Sequence, residues 1–538
     1  MKNIRIFSIL AASAMLFACT TMDDIVPQSG TMLTSQVQET NKNIPSRANA
    51  SFLGMLTSIG QPIKIATGGR ADDFGLLMLL FSSDVEGADI CIADSGYNWF
   101  SVCCDYTSRN ANYWNPYLRY SYIYNEVAAA NEFIASISDD AAQETLYLRA
   151  QAYAIRAYAY LLAAPSFQFS YASSKDKPCI PLVSADTPDF THNPRASVEA
   201  VYTQIMNDLN YAVENLEGYK RPSKMNIDKQ VALGLRARAN LAMGKWEDAA
   251  ADAEAAMEGY TPASIEEVSV PTFYNIAEHN WIWGYDMTTE VAKAYIYATM
   301  DSWLRSFSGD GYAPACQVTS RINTLLWDKI PATDVRKGWW VDENLEPPLI
   351  EGLLWDNGQP VATAEVEDVK MEYLPYTNVK FGMDKIASIT NDNDFPLMRA
   401  EEMILIRAEA LAKAGSEGEG KQILEDFVKT YRDPSYSADA GGRSFSDEVW
   451  YQRRVELWGE GFFTADRNRL EKPLVRFHGG QASNFPDNFR FNMPATDGYL
   501  LMRFPQSEMN TNFDIVDNTG GAEPVKDQNP GLKDGVTD

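Results

Sequence analysis

Apolar residues recur at a spacing of three or four positions through long parts of the chain, and this spacing predicts helices. The pattern is clear in residues 113–137, 141–163 and 197–216, each of which presents an apolar face and a polar face. Residues 229–257 continue it with many alanines on both sides of Gly244. The chain is therefore expected to be all-α.

Small residues let two antiparallel helices approach closely, and residues 229–257 contain several such positions. Gly244-Lys245-Trp246 separates two alanine-rich halves, a pattern that resembles a tetratricopeptide (TPR) repeat. The same half-pattern recurs at residues 408–415 and 423–430. Repeats of this kind need neighbours to bury a continuous core. We therefore predict a TPR-like, right-handed stack of helix pairs that are widely separated in the sequence.

A further helix is predicted over residues 395–415. Its apolar stripe is formed by Leu397, Ala400, Ile404, Ala408 and Leu411. Gly415 follows at the position of a left-handed helix cap, and Ser446 is the expected N-cap of the next helix. Because this pair of helices cannot bury its apolar faces alone, it is expected to pack on the earlier helices.

Between residues 261 and 394 helical periodicity is patchy, while proline and glycine are common. We predict a large loop-rich insertion here, between helical parts at about 50–260 and 395–470, and an irregular segment at 471–538 with a frayed tail at 524–538. Loops carry a large share of binding residues. The insertion holds seven of the chain's twelve tryptophans: Trp281, Trp283, Trp303, Trp327, Trp339, Trp340 and Trp355.

The N-terminus has the features of a secreted lipoprotein. A positively charged start precedes an apolar run, residues 6–17, which is too short to span a membrane and is typical of a signal peptide. The run leads into the tetrapeptide LFAC, which resembles the bacterial lipobox and ends at Cys19. These features predict a signal peptide at residues 1–18, diacylation of Cys19, and a polar tether at residues 19–49.

The formal net charge of −27 bears on the possible ligands. A field of that sign repels nucleic acid and anionic lipid headgroups, and it favours neutral or cationic ligands. No metal or cofactor site is expected, because no CxxC or HExxH motif is present and the three histidines lie far apart. Nucleophile-elbow, P-loop and dinucleotide-binding units are also absent, so no reaction is predicted.

The number of cysteines after Cys19 is odd, so at least one of them stays free or pairs between chains. Cys91 could bridge a loop to Cys103 or Cys104, but spacing alone does not decide between these pairings. The remaining two are Cys179 and Cys316.

Three C-terminal motifs carry a family resemblance. The first is PLMR at residues 396–399, followed by Glu402 and AEA at 408–410. The second is RR at 453–454 with the residues that follow it, and the third is PQSEM within residues 504–512. These motifs resemble the SusD/RagB family of outer-membrane nutrient-binding lipoproteins. We expect a structural charge network between helices, and no catalysis, from four residues of the second motif: Glu456, Glu460, Asp466 and Arg469.

The resemblance implies a single SusD-like domain over residues 50–538, anchored by lipid at the outer membrane and facing the cell exterior. It also implies a partner, a TonB-dependent β-barrel transporter of the SusC type, over which the protein sits as a lid. The implied function is the capture of oligosaccharides and their delivery to that transporter. Two alternatives stay open: peptide capture, since the RagB branch shares the fold, and a surface glycoside hydrolase, which would require a closely paired carboxylate site.

Exposed aromatic side chains on loops are the candidates for ligand binding. The apolar face of a sugar ring stacks on an aromatic ring, while amides and charged groups hydrogen-bond its hydroxyls. In SusD-like proteins an aromatic from the loop before the second long helix combines with aromatics from the later insertion. By that analogy the loop supplies Trp99, with Tyr97 and Asn98 beside it. The insertion supplies Trp283, Tyr285, Trp303 and Tyr312.

Overall fold

The computed structural model describes residues 32–66, 68–94, 98–184, 187, 189–315, 318–344, 363–366, 369–372, 374–385 and 388–538. The α-helices of these residues, in chain order, are α1 Thr34–Asn43, α2 Pro45–Ser58, α3 Gly75–Val85, α4 Ser101–Cys104, α5 Trp114–Ala135, α6 Gln143–Phe167, α7 Tyr171–Ser174, α8 Val198–Asn215, α9 Lys229–Met243, α10 Trp246–Ala256, α11 Ile265–Val268, α12 Thr289–Ala292, α13 Met300–Leu304, α14 Tyr312–Ala315, α15 Thr324–Trp327, α16 Ala400–Lys413, α17 Glu417–Tyr431, α18 Phe445–Glu456, α19 Phe463–Arg469 and α20 Gln506–Thr511. The strands are β1 Ile90–Cys91, β2 Trp281–Tyr285, β3 Arg321–Ile322, β4 Thr363–Val366, β5 Val369–Glu372, β6 Phe395–Arg399, β7 Leu474–Val475 and β8 Asn492–Met493.

The long helices form one continuous stack. Helix α5 packs on α6, α6 on α8, α8 on α9, and α9 on α10. Helix α10 then packs on α16, which lies beyond the insertion, and α16 packs on α17 and α18. The buried faces of α9 and α10 are rich in alanine, whose small side chain permits close helix approach at no cost in helix propensity. The prediction of an all-α, TPR-like stack built from sequence-distant helices is confirmed.

Local sequence sets several of the helix ends. The hydroxyl of Ser197 accepts a backbone N–H from the first turn of α8 at 3.1 Å, which is a typical N-cap contact. Gly415 follows α16 with a φ of 100°, the left-handed conformation expected there. The N-cap of α18 is Ser444 and not Ser446, because the Ser444 hydroxyl accepts the first-turn N–H at 3.2 Å. Helix α18 therefore begins earlier than predicted.

The stretch 395–415 differs from its prediction. Its first five residues form β6, which pairs antiparallel with β2 of the insertion, and α16 begins only after this strand. Leu397 therefore lies in a strand and not in the predicted helical stripe. Ile404 and Leu411 lie in α16 and pack against the core as half-buried residues. The cause is non-local. Strand β6 is buried on both faces, so its sequence lacks the alternation of apolar and polar residues by which a strand is recognised.

The insertion is joined to the rest of the fold by short antiparallel strand pairs, β2 with β6 and β1 with β3. Its backbone is largely irregular, as predicted, but much of it belongs to the core. Five of its tryptophans are at most 1% exposed: Trp281, Trp283, Trp303, Trp339 and Trp340. Trp355 lies outside the described residues. The insertion is therefore a structural part of the protein and not a set of surface loops alone.

The charge network expected from the second motif is present and buried. Glu456 is fully buried and accepts hydrogen bonds from Arg336, Arg399 and Arg432 at 2.8 to 3.3 Å. Burial by itself would raise the pKa of Glu456, but the three guanidinium groups outweigh it and hold this pKa well below its ordinary value. Glu456 therefore stays ionised and joins the insertion to the C-terminal helices.

The other members of the predicted network are also paired. Glu460 accepts hydrogen bonds from Lys380 and Arg399, both at 2.7 Å. Asp466 accepts one from Arg469 at 2.8 Å. The predicted structural role of these residues is confirmed.

Two segments that were predicted to be irregular are built into the fold. Helix α1 and the start of α2 lie within the predicted tether, and the Gln38 amide donates to the Ala135 carbonyl at 2.8 Å. Near the C-terminus Arg454 forms an ion pair with Asp534 at 2.6 Å, which ties part of the predicted tail to α18. Residues 1–31, which include the predicted signal peptide and Cys19, lie outside the described residues.

The described cysteines are free thiols in the core. Cys91 forms no bridge to either Cys103 or Cys104, and Cys179 is also unpaired. Burial raises the pKa of the Cys91 thiol to about 12 and that of Cys103 to about 11, so both stay protonated at neutral pH. Cys316 lies outside the described residues.

Candidate ligand-binding surface

Trp99 stands on a loop whose base is fixed by its two neighbours. The side-chain amide of Asn98 donates to the Ala93 carbonyl at 2.8 Å, and its oxygen accepts the Phe100 N–H at 3.0 Å. The Phe100 ring is buried and meets the Trp303 ring edge to face at 4.8 Å. With its neighbours held in this way, Trp99 projects outward and is 37% exposed. Asn98 itself is buried, so it supports the loop and offers no free surface.

The Trp99 indole is also tied to the insertion. Its Nε1–H donates to the hydroxyl of Tyr312 at 3.1 Å. The Tyr312 ring stacks on the buried Trp303 at a centroid distance of 4.4 Å and an interplanar angle of 11°. Trp303 in turn donates its Nε1–H to the Ala71 carbonyl at 2.8 Å. A chain of contacts therefore runs from the exposed ring to the core.

Arg70 lies between two exposed indoles. Its guanidinium carbon is 4.8 Å from the ring centroid of Trp99 and 4.8 Å from that of Trp114. Two parallel hydrogen bonds, at 3.0 and 2.8 Å, join the guanidinium to the carboxylate of Asp72 and fix its orientation. We call Trp99, Arg70 and Trp114 the Trp–Arg–Trp stack. A guanidinium over each ring contributes about 0.5–1 kcal/mol at an exposed site.

The carboxylate behind the stack is itself buried. Asp72 is 6% exposed, and burial raises its pKa although the ion pair with Arg70 acts in the opposite direction. The positive charge of the Arg70 guanidinium is therefore paired with the carboxyl group of Asp72. The surface that the stack presents is formed mainly by ring faces.

Trp114 is the first residue of α5, and further rings surround it. It is 48% exposed, as is the preceding Tyr113. The Tyr117 ring meets the Trp114 ring edge to face at 5.3 Å, with an interplanar angle of 82°. The stack and these tyrosines form one aromatic surface, contributed by chain segments that are far apart in the sequence.

The structure separates the predicted site residues into two groups. Trp99, Asn98, Trp303 and Tyr312 come together as described above, but only Trp99 presents an exposed indole. Trp303 is fully buried, so the expectation that its ring is available for stacking is wrong. Tyr97 lies outside the described residues.

Trp283 and Tyr285 lie elsewhere, on strand β2, and each is 1% exposed. The Trp283 indole donates to the Met225 carbonyl at 3.0 Å, and the Tyr285 hydroxyl donates to the Thr57 carbonyl at 2.6 Å. Their predicted exposure is wrong, because pairing with β6 places this strand inside the core. Both side chains link the insertion to the earlier part of the chain.

Two family models match the chain. Residues 79–241 match the SusD-like model described as "starch-binding associating with outer membrane", and residues 356–520 match the model described as "SusD family". The two matches occur in this order along the chain and together span more than half of it. The chain belongs to the SusD/RagB family. No curated protein sequence matches it significantly.

Solved SusD-like structures share this fold. A SusD-like carbohydrate-binding protein from Bacteroides vulgatus ATCC 8482 is 23% identical, with a TM-score of 0.69 over 87% of this chain and 97% of that one. A SusD superfamily protein from Bacteroides thetaiotaomicron VPI-5482 is 19% identical, with a TM-score of 0.69 over 88% and 99%. A laminarin-binding SusD-like protein is 17% identical, with a TM-score of 0.60 over 88% and 99%. At such identities the likeness establishes the fold.

Sequence reasoning on this SusD/RagB chain missed Arg70 and Trp114. A signal for Trp114 exists, because it shares a helix face with Ser121, Asn125 and Glu132, which are polar and lie away from the core. No comparable signal marks Arg70. Its place between two indoles depends on how three separate segments fold together.

The described residues give this surface aromatic faces and polar groups. Among them, no group of three or more His, Cys, Asp or Glu side chains is placed to hold a metal ion. In the same part of the chain no helix is both long enough and apolar enough to cross a membrane. Flat ring faces, backed by an ion pair and by buried aromatics, are what this surface presents to a ligand.

Proposed function

We propose that this SusD/RagB protein is a cell-surface glycan-binding lipoprotein. It captures oligosaccharides at the Trp–Arg–Trp stack and delivers them to a SusC-like, TonB-dependent outer-membrane transporter. The observation that carries this proposal is the pair of exposed indoles, Trp99 and Trp114, on a base that is fixed by hydrogen bonds and buried rings. Each indole offers a flat apolar face, and covering it with a sugar ring contributes on the order of 1 kcal/mol.

The fixed base of the stack favours binding because little side-chain freedom is left to lose. Ordering a mobile side chain at an interface costs about 0.5–1.5 kcal/mol. Trp99 is already restrained through Tyr312, and Arg70 is already restrained through Asp72. The comparisons support the ligand class, since the matched family model is described as starch-binding and one structural neighbour as laminarin-binding.

The attachment to the membrane is proposed to be a lipid on Cys19, at the start of the mature chain. Several acyl chains, at about 0.8 kcal/mol per buried methylene, hold a protein durably on a bilayer. We expect Cys19→Ala to leave the protein unlipidated and released from the outer membrane. Membrane fractionation in a strain that lacks the partner transporter tests this, and a variant that stays membrane-bound there would contradict it.

The ligand class is tested by presenting the purified protein with two panels. One contains neutral polysaccharides, including laminarin and starch, and the other contains a peptide mixture of matched concentration. We expect calorimetry to detect binding of at least one polysaccharide by the unsubstituted protein. This binding should be abolished or strongly weakened in the Trp99→Ala variant. The control variant is Phe190→Ala, which removes a different aromatic ring that is 59% exposed. It is expected to bind the polysaccharide as tightly as the unsubstituted protein does.

Each alternative predicts a different result in that experiment. Binding of peptides without binding of any polysaccharide would favour a peptide-uptake role, in which backbone hydrogen bonds replace ring stacking. New reducing ends that disappear on substitution of one carboxylate would indicate a glycoside hydrolase. The proposed role requires glycan binding without turnover.

A further inference from the structure

A second aromatic groove lies directly beside the Trp–Arg–Trp stack. It has a volume of about 290 Å³, close to the lower end of the range for small-molecule sites, about 300–1,000 Å³. One wall is the start of α5 with the loop before it, and the other is the start of α20. The lining residues are Ala111, Asn112, Tyr113, Trp114, Tyr117, Pro505, Gln506 and Ser507.

The two walls are held together by the backbone. The Gln506 N–H donates to the Ala111 carbonyl at 2.8 Å. This contact places the PQSEM motif, which the proposed function does not otherwise use, against the aromatic start of α5. The groove is therefore a built feature of the fold and not a gap between two loose loops.

The lining of the groove combines ring faces with neutral polar groups. Tyr113, Trp114 and Tyr117 supply the rings, and the Trp114 and Tyr117 planes meet at 82° to form a corner. Asn112 and Ser507 supply an amide and a hydroxyl whose side chains have no partner within the described part of the chain. All eight lining residues are uncharged. Apolar faces beside free amide and hydroxyl groups match a neutral sugar ring, which carries C–H faces and hydroxyls.

Trp114 belongs both to this groove and to the stack. Its ring contacts Arg70 and also lines the groove. A ligand that covers Trp114 therefore lies directly beside the groove, whose lining holds no charged side chain.

We propose that the groove is a second sugar subsite, and that the protein binds an oligosaccharide whose successive rings occupy the stack and the groove together. This inference rests on the proposed function, and it adds a requirement on ligand length. Ligands long enough to reach both subsites gain contacts that short ligands do not.

The test uses a size-fractionated series of oligosaccharides, prepared from the polysaccharide that binds best, and the full-length mature protein. The groove variant is Asn112→Ala with Tyr113→Ala. Tyr113 is half exposed, and its ring stacks on no other described ring and forms no side-chain hydrogen bond with the described residues, so the fold is expected to be unaffected. Phe190→Ala serves as the exposed-ring control, and thermal unfolding verifies that each variant is folded.

The unchanged protein is expected to bind long oligosaccharides more tightly than short ones. The groove variant is expected to lose about tenfold in affinity for the long ligands, the equivalent of one stacked ring, and to bind the short ligands unchanged. The second subsite is refuted, while glycan binding stands, if the groove variant still binds long ligands more tightly than short ones to the same degree as the unsubstituted protein. It is also refuted if the variant loses affinity equally for short and long ligands. If no oligosaccharide binds the unchanged protein, the proposed function itself is overturned and the subsite with it.

Discussion

Substitutions at Trp99 test the stacking role most directly, because each part of its environment can be removed separately. Trp99→Ala removes the ring and its hydrogen bond. Trp99→Phe keeps an aromatic face but loses the Nε1–H that donates to Tyr312. Tyr312→Phe removes the same hydrogen bond from the other side and leaves the indole in place. These three variants distinguish the ring from the contact that holds it.

The structure sets the expected magnitudes. Loss of a stacked indole forfeits about 1–3 kcal/mol of binding free energy, which is about a fivefold to 150-fold change in affinity. The cost in unfolding free energy is expected to be about 1.5–2 kcal/mol, because Trp99 is 37% exposed and loses one hydrogen bond of about 1 kcal/mol and one cation–π contact of about 0.5–1 kcal/mol. Trp99→Phe and Tyr312→Phe are expected to stay within a few-fold of the original affinity.

Calorimetry for affinity and denaturant unfolding for stability, on the same preparations, provide the assay. Trp303→Ala is the buried comparison, since its ring is fully buried beneath Tyr312 and its removal is expected to cost about 3–5 kcal/mol of unfolding free energy. An unchanged affinity in Trp99→Ala would remove this residue from the site. A stability loss as large as that of Trp303→Ala would mean that Trp99 supports the core. If Trp99→Phe and Tyr312→Phe bind as weakly as Trp99→Ala, the orientation of the ring matters more than its area.

Three further predictions concern the groups around and beneath this surface. Arg70→Lys is expected to lower glycan affinity severalfold, because an ammonium keeps the charge but lacks the planar group that lies between the two indoles. Arg490→Lys is the control, since Arg490 forms its ion pair with Asp527 at the surface, and this variant should bind glycan normally. Glu456→Gln is expected to lower the free energy of unfolding by about 3–5 kcal/mol, measured with denaturant, because it leaves buried guanidinium groups uncompensated. The control Glu425→Gln breaks an exposed ion pair and should lower it by less than about 1 kcal/mol. Similar losses of unfolding free energy in both variants would contradict this prediction. Burial raises the pKa of Asp84 from 3.8 to about 7, so the folded state holds the carboxyl proton of Asp84 more tightly than the unfolded state does. The contribution of protonated Asp84 to the free energy of unfolding is therefore full below about pH 4 and is lost as pH rises through about 7. Asp84→Asn should therefore flatten the fall in unfolding free energy between pH 4 and pH 7, and an unchanged slope would refute the shift.

The helices of the stack were predictable because their signals are local. Periodic apolar residues placed α5, α6 and α8, and Ser197 and Gly415 marked helix ends through their own backbone and side-chain preferences. Alanine-rich halves around Gly244 indicated close packing of α9 and α10. Each of these features depends on residues within a few turns of one another, which a single sequence displays.

The insertion was harder to predict because its structure depends on distant partners. A run of aromatic residues without helical periodicity is compatible with an exposed binding loop and with a buried strand. In β2 the deciding factor is its pairing with β6, which lies more than a hundred residues further along the chain and covers Trp283 and Tyr285. Arg70 was missed for a related reason, since its role arises only where the segments that carry Trp99 and Trp114 meet.

The insertion contributes to the candidate site differently from what the family analogy predicts. The family analogy suggested that its aromatics join Trp99 on the binding surface. In the structure Tyr312 instead receives the Trp99 hydrogen bond, and Trp303 supports Tyr312 from below. Exposed partners for Trp99 come from elsewhere, from Arg70 and the start of α5. A loop tryptophan without such support would lose side-chain entropy on binding, so we expect the buried Trp303 and the Tyr312 stacked on it to make Trp99 better suited to stack against a ligand.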